Sequence, residues 1–213
     1  MTRWWPAAAL VAAAVCYSTW VLGPALNPAI DASATVASEL AATDQPWSWL
    51  FRVGDAVTGV LALAAAVALV RPARGWARVA WVAAAVFGLS TVLDAAAAPL
   101  SCAPSLDAGC ASLVADEFVE PHSWTSSFAV AGAMASLVAL ALWLWRRRPG
   151  VALVGFVLAG LAIAVSLVTL AQILAESDTE GIWQRGQLAG ISAWLVYAAA
   201  VAERGVGAGS TRE

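Results

Sequence analysis

Apolar residues gather into six long runs separated by short polar connections. The runs cover about residues 4–23, 47–70, 76–98, 124–145, 151–174 and 183–202. Each approaches the roughly 20 residues an α-helix needs to cross ~30 Å of hydrocarbon. Ala, Leu and Val dominate and Gly recurs inside several runs, as suits closely packed membrane helices. The ~10-residue alternating segments of a membrane barrel are missing from the pattern. The predicted fold is all-α: a polytopic integral membrane protein with a six-helix transmembrane bundle in a single domain over residues 1–204. Residues 205–213 read as a disordered cytoplasmic tail. The first run resembles a signal peptide, but "AAAVCYSTW" offers no good small-x-small cleavage site, so a retained helix is expected.

The polar connections set an orientation. Arg3, Arg71, Arg74, Arg78, Arg146, Arg147, Arg148, Arg204 and Arg212 all fall on one side of the six runs, and the chain has no lysine. Connections 24–46, 99–123 and 175–182 carry no arginine. The positive-inside rule then places both termini in the cytoplasm, an N-in/C-in topology with extended outer loops. Trp4, Trp5, Trp47, Trp49, Trp76, Trp124, Trp143, Trp145 and Trp183 sit near run ends, where an aromatic belt is expected. In the first outer loop Val36 and Leu40 stand four apart after possible caps at Asp31 and Ser33, which predicts a short surface helix.

Composition agrees. The chain of 213 residues is 62% hydrophobic and 12% charged, with a mean hydropathy of +0.79. A soluble domain carries about 25% charged residues. The expected location is a bacterial cytoplasmic membrane. Expected partners are membrane lipids and a partner transmembrane helix or second copy; no nucleic acid is expected.

Polar residues within the runs collect near their outer ends. Arg52 and Asp55, three apart, are spaced to pair on one helix face. Asp94 ends the third run, His122 and Ser126 open the fourth, and Arg185 opens the sixth. Ser166, Thr169, Gln172 and Glu176 form a stripe on the fifth, read as interhelical hydrogen bonding. The inner halves hold no acidic or basic side chain at 59–70, 79–89, 128–145, 151–165 and 188–202, which disfavours a channel, pump or transporter. An outward polar cup on an apolar floor remains. Its leading reading is non-enzymatic binding of an amphiphile headgroup or partner helix, with Arg52, Asp55, Asp94, His122, Gln172, Glu176 and Arg185 as candidate ligand-binding residues. The first alternative is a membrane-embedded hydrolase with Ser126 as nucleophile, His122 as base and Asp94 as orienting acid. The second is a structural or assembly scaffold whose cup is wholly ion-paired, Arg52 with Asp55 and Asp94 with Arg185. No cofactor or metal is expected, because one histidine falls short of the usual catalytic zinc set.

Cys102 and Cys110 stand eight apart in an outer loop with Pro104 and Gly109 between them, and are expected to form a disulfide. Asp107, Asp116, Glu117 and Glu120 are expected to be solvated around that turn. Cys16, within the first run, reads as a packing residue. Gly186-x-x-x-Gly190 offers a close-packing face, with contact inside the bundle preferred to a dimer.

Several of these stretches together resemble a known family. "GPALNP", "SELAATDQPWSWLFRVGD", "LDAAAAPLSCAPSLDAGC", His122 with Ser126, and "GIWQRGQ" are similar in kind and order to the bacterial membrane proteins grouped as domain of unknown function 998. The resemblance spans essentially the whole chain. It implies a multi-helix membrane fold with outward-facing polar positions at Glu39, Arg52, Asp55, Asp94, Cys102, Cys110, His122, Ser126 and Arg185, and no established activity. A looser similarity to seven-helix membrane hydrolases such as alkaline ceramidases implies a three-histidine zinc site, which one histidine cannot assemble.

Overall fold

The computed structural model describes residues 4–113, 121–175 and 177–207, and among them there are helices, turns and bends but no strand. Six helices dominate: α1 (Trp5–Tyr17), α2 (Ser48–Val70), α3 (Trp76–Ala97), α4 (Pro121–Leu144), α5 (Pro149–Leu174) and α6 (Glu180–Gly207). Prolines stand in the first turns of α1, α4 and α5, where the missing N–H has no intrahelical partner to lose. A 3₁₀ segment, Ser18–Leu22, and a helical turn, Gly23–Leu26, continue α1, so its apolar run extends past residue 23. The helix α6 reaches Gly207, so residues 205–207 of the expected tail are helical; residues 208–213, with Arg3 and Arg212, lie outside the described residues.

Five helical segments are long and apolar enough to cross a membrane: Trp5–Leu26, Ser48–Val70, Trp76–Ala97, Pro121–Leu144 and Pro149–Leu174. The helix α6 is longer, at 28 residues, but opens on Glu180, Gln184, Arg185 and Gln187. It also buries one face in the bundle, with Ile191, Trp194, Leu195, Ala198 and Val201 inside. Helices facing lipid must be apolar outside, whereas an interior helix needs only to match its neighbours.

The helices pack as a ring in chain order, closed by α6 against α1, with α4 also touching α6 across the middle. Phe87 and Trp194 meet edge to face at 5.0 Å in the centre, and Tyr17 packs on Phe87 at 5.8 Å. Leu10, Leu137, Leu140, Ile191 and Leu195 fill the space around them. Hydrophobic attraction is weak between helices already in lipid, so close approach must supply van der Waals contact. Gly59 and Gly88 allow it between α2 and α3: a Cβ on Gly88 would stand 2.6 Å from the Leu63 amide nitrogen and 2.8 Å from the Gly59 carbonyl. The expected Gly186/Gly190 face packs more loosely on α5, where a Cβ on Gly190 would lie 3.7 Å from that of Ala162. The exterior is apolar, with Leu153, Val157, Leu161, Leu167, Leu170 and Leu174 exposed along α5, and Trp4, Trp49, Trp76, Trp124 and Trp145 exposed near helix ends.

Candidate functional site

The loops at 27–46 and 99–113 fold over one end of the bundle. In the first, Asp31 Oδ1 accepts from the Ser33 amide at 2.8 Å. This hydrogen bonding by Ser33 holds the exposed Asp31 carboxyl below the usual carboxylate range. The expected surface helix is a 3₁₀ turn, Ala37–Ala41, and Leu40 points inward with Ile30, Ala37 and Phe51. On one side α6 grips the loop: Arg185 donates to the Thr35 carbonyl at 2.7 Å, the Ile182 amide donates to the Ser33 carbonyl at 3.2 Å, and Gln184 Oε1 accepts from the Ala37 amide. On the other side the loop meets the stapled turn. The Thr43 amide donates to the Leu100 carbonyl at 2.9 Å, Thr43 Oγ1 donates to the Ser101 carbonyl at 2.8 Å, and the Ala103 amide donates to Asp44 at 3.2 Å. Glu39, only 4% exposed, accepts from the Ser105 amide and hydroxyl. Burial pushes its carboxyl above the usual range despite those bonds.

The disulfide is present as expected: Cys102 and Cys110 are bonded, with Cα atoms 6.0 Å apart. Asp107 Oδ1 accepts from the Gly109 amide within that turn at 2.7 Å. Asp116, Glu117 and Glu120 lie outside the described residues.

Beneath this roof, α3 ends where α4 begins, and their polar residues converge. Asp94 Oδ1 lies 2.9 Å from His122 Nδ1 and accepts from the Thr125 hydroxyl. It also accepts from Ser126 Oγ at 3.4 Å. On the far side of the imidazole, Nε2 lies 3.5 Å from Ser126 Oγ. One helical turn separates His122 from Ser126, which brings both to one face of α4. The first turn of a helix carries unsatisfied N–H groups and the positive end of its dipole, so a carboxylate from α3 is favourably placed there. The side chains of His122 and Asp94 are 15% and 20% exposed, shielded yet not sealed from the surface at this end of the bundle. A cavity of about 10 Å³ adjoins them, lined by Arg52, Asp55, Asp94 and His122 and roofed by Ser38, Ala41, Pro99 and Leu100.

Other expected pairings do not form. Arg52 makes no bridge to Asp55; its Nε donates to the Ala95 carbonyl at 3.0 Å, capping the end of α3. Arg185 makes no bridge to Asp94 and does not line the cavity, because its chain extends to the loop carbonyls of Thr35 and, at 3.1 Å, Gly181. Of the acid–base contacts the sequence offered, His122–Asp94 is the one that forms. Among its described residues, the stripe on α5 makes no side-chain hydrogen bond to a neighbouring helix. Thr169 bonds back to the Val165 carbonyl at 2.9 Å, and Gln172 accepts from Thr179 in the following turn at 3.1 Å. Gln172 thus ties the α5–α6 connection and does not line the cavity, while Glu176 lies outside the described residues. Among the described residues no three His, Cys, Asp or Glu side chains come together to hold a metal ion.

Two participants were not anticipated from sequence. Thr125 bonds Asp94 beside His122, and its position three after His122 on the same helix was the available signal. Ser105, the partner of Glu39, carried none, since nothing in its spacing points across to the first loop.

A family model described as "Protein of unknown function (DUF998)" matches residues 10–201, almost the whole chain. No curated protein and no solved structure matches it.

Proposed function

The chain belongs to the DUF998 family, and from that premise and the geometry above we propose that it is a membrane-embedded hydrolase for an ester or amide of an amphiphile. Its six helices all cross a cytoplasmic membrane, with both termini inside and the site facing outward. The carrying observation is the placement of His122 between Asp94, at 2.9 Å from Nδ1, and Ser126, at 3.5 Å from Nε2.

The roles follow from that order. Asp94 fixes the tautomer with the proton on Nδ1, leaving Nε2 as an acceptor. Ser126 Oγ attacks the carbonyl carbon and its proton passes to Nε2, while the carbonyl electron pair moves onto oxygen. When the tetrahedral centre collapses, the leaving group takes that proton. Water then repeats the sequence on the acyl-enzyme, its proton again going to Nε2 and finally to Ser126 Oγ. The separation from Nε2 to Oγ is at the long end of hydrogen bonding, and such contacts tighten when substrate binds. The positive end of α4 and the Arg52 guanidinium beside the cavity favour the negative charge that develops.

Simple headgroup binding is less well supported. Its two anion donors were Arg52 and Arg185, and Arg185 is committed to the loop. The cavity, at about 10 Å³, is near the lower limit for one water molecule.

A fluorophosphonate probe, which phosphonylates activated serines, tests the proposal on the intact protein in detergent. Wild type should be labelled at Ser126, and Ser126→Ala and His122→Ala should lose labelling while keeping the wild-type melting temperature within a few degrees. Undiminished labelling of Ser126→Ala, or a folded wild type that resists the probe, would sink it.

A further inference from the structure

At the opposite end of α3 a second feature stands apart from this site. A groove of about 500 Å³ runs along the helix surface, lined by Gly75, Arg78, Val79, Val82, Ala83 and Val86. Val79, Val82 and Val86 are 48%, 49% and 41% exposed, so an apolar strip is left uncovered by α2 and α4. Gly75 opens the polar end: its φ of 55° suits glycine, and a Cβ there would meet nothing within 4 Å. Arg71, Arg74 and Arg78 are all exposed around it. No acidic residue occurs between Asp55 and Asp94, so their field is not cancelled along the chain.

We infer that this groove holds one anionic phospholipid of the leaflet containing residues 71–78, its phosphate on Arg78 and one acyl chain along Val79, Val82 and Val86. The lengths agree. Ten residues from Trp76 to Val86 rise about 15 Å, which is half of the ~30 Å hydrocarbon core and so the depth of one leaflet. The charges agree as well. A guanidinium grips a phosphate through paired N–H donors, and a zwitterionic lipid offers the same phosphate with a cation attached. Exposed Trp76 sits at the helix start, where an indole anchors at headgroup level. A second copy packed symmetrically on this face would bring Arg78 against its own equivalent, and like charges repel. Of the described acidic residues only Glu203, near the C-terminal end of α6, lies toward this end of the bundle, so a parallel neighbour would bring one described carboxylate to the three exposed arginines Arg71, Arg74 and Arg78.

Native mass spectrometry of the full chain tests this, after exchange into micelles doped with phosphatidylglycerol or with phosphatidylcholine of identical acyl chains. One phosphatidylglycerol should be retained in preference to phosphatidylcholine. Arg78→Gln should reduce its retention about fivefold, the contribution of one surface arginine to an anionic lipid. Val82→Phe, on an exposed position that does not burden the core, should fill the groove and reduce retention with all arginines in place. Equal retention of the two lipids, or retention indifferent to both substitutions, would overturn the inference. So would a Val82→Phe protein whose oligomeric state changes while lipid retention does not, because the groove would then be a protein interface.

Discussion

Replacing Asp94 by Asn separates the chemical role of this carboxylate from its structural one. Asp94 Oδ1 lies 2.9 Å from His122 Nδ1 and accepts from the Thr125 hydroxyl and, at 3.4 Å, from Ser126 Oγ. Asparagine keeps one accepting oxygen, so the Thr125 bond can persist. The loss in stability is then that of one close carboxylate–imidazole contact, no more than the ~1.5–3 kcal/mol of a charge-assisted hydrogen bond. Reactivity should fall much further. An asparagine NH₂ turned toward the imidazole favours the tautomer that carries its proton on Nε2, and that nitrogen can no longer accept from Ser126. In an acid–histidine–serine arrangement this exchange costs about 10³–10⁴ in rate, or roughly 4–5.5 kcal/mol of barrier. The assay is the second-order rate constant for fluorophosphonate labelling, measured beside a melting curve. Thr125→Val serves as the comparison, since it removes a bond to Asp94 but leaves the Asp94–His122 contact; its labelling should stay within about threefold of wild type. Asp94→Asn labelling within about threefold of wild type, in a protein that melts normally, would refute the assignment of Asp94 as orienting acid. Equal loss in both variants would also refute it, because the contacts would then act only by holding the helix ends together.

Two further outcomes follow from the packing and the outer loop. Burial raises the Glu39 carboxyl above its ordinary value of 4.5, with Asp44 adding to the rise and Ser105 and Arg185 opposing it. The folded protein therefore holds this proton more tightly than the unfolded chain, so the Glu39 contribution to stability is greatest below pH 4.5 and declines as pH rises through the raised value. Glu39→Gln should flatten that decline in melting temperature above pH 4.5, and an unchanged slope would contradict the burial argument. Gly88→Ala forces a Cβ to 2.6 Å from the Leu63 nitrogen and should cost about 1–3 kcal/mol or more. Gly190→Ala meets Ala162 at 3.7 Å and should leave the melting temperature unchanged or higher; equal shifts in the two variants would show that α2–α3 contact is not the tighter one.

Patterns of local origin were legible in the chain. Apolar run lengths located the helices within a few residues, and the eight-residue spacing of Cys102 and Cys110 in a polar loop pointed to their bond. The i, i+4 relation of His122 and Ser126 survives because both lie on one helix. Pairings between elements were harder. Arg52 and Asp55 share a face by spacing, but helix spacing says nothing of a carbonyl at the end of a neighbouring helix, and Ala95 takes the arginine. Arg185 shows the same limit, since a long flexible side chain can reach loop carbonyls, as it does that of Thr35, as readily as a carboxylate on a neighbouring helix. The polar face of α5 read as glue between helices, whereas threonine in a helix can satisfy its hydroxyl on its own backbone, as Thr169 does. The GxxxG spacing of α6 drew notice while the tightest backbone approach between helices came at Gly59 and Gly88, which lie on different helices and form no motif.

The roof over the site depends on the outer loops for its rigidity. Ser38, Ala41, Pro99 and Leu100 all come from segments outside the long helices, while the polar floor of Arg52, Asp55, Asp94 and His122 comes from α2, α3 and α4. Two backbones that merely lay side by side would exchange their contacts for water at little cost. Here residues 27–46 are held at both edges, by Arg185, Gln184 and Ile182 on one side and by Leu100, Ser101, Ala103 and Ser105 on the other. The second edge is itself stiffened by Cys102–Cys110, whose short closed loop contributes about 2–3 kcal/mol in the chain-entropy account. In the proposed hydrolase a substrate larger than water therefore enters by displacing this roof and not by parting the helices, whose glycine contacts leave no slack. The weaker edge decides where it lifts. The α6 edge is fixed by a guanidinium bond of 2.7 Å to a carbonyl, whereas the stapled edge has two neutral bonds from Thr43 and three to the carboxylates of Asp44 and Glu39. Of those two acidic anchors only Glu39 is buried, and its burial disfavours its charge. Both edges are thus tied by charged groups, and the buried Glu39 anchor marks the stapled edge as the side that lifts in the proposed hydrolase.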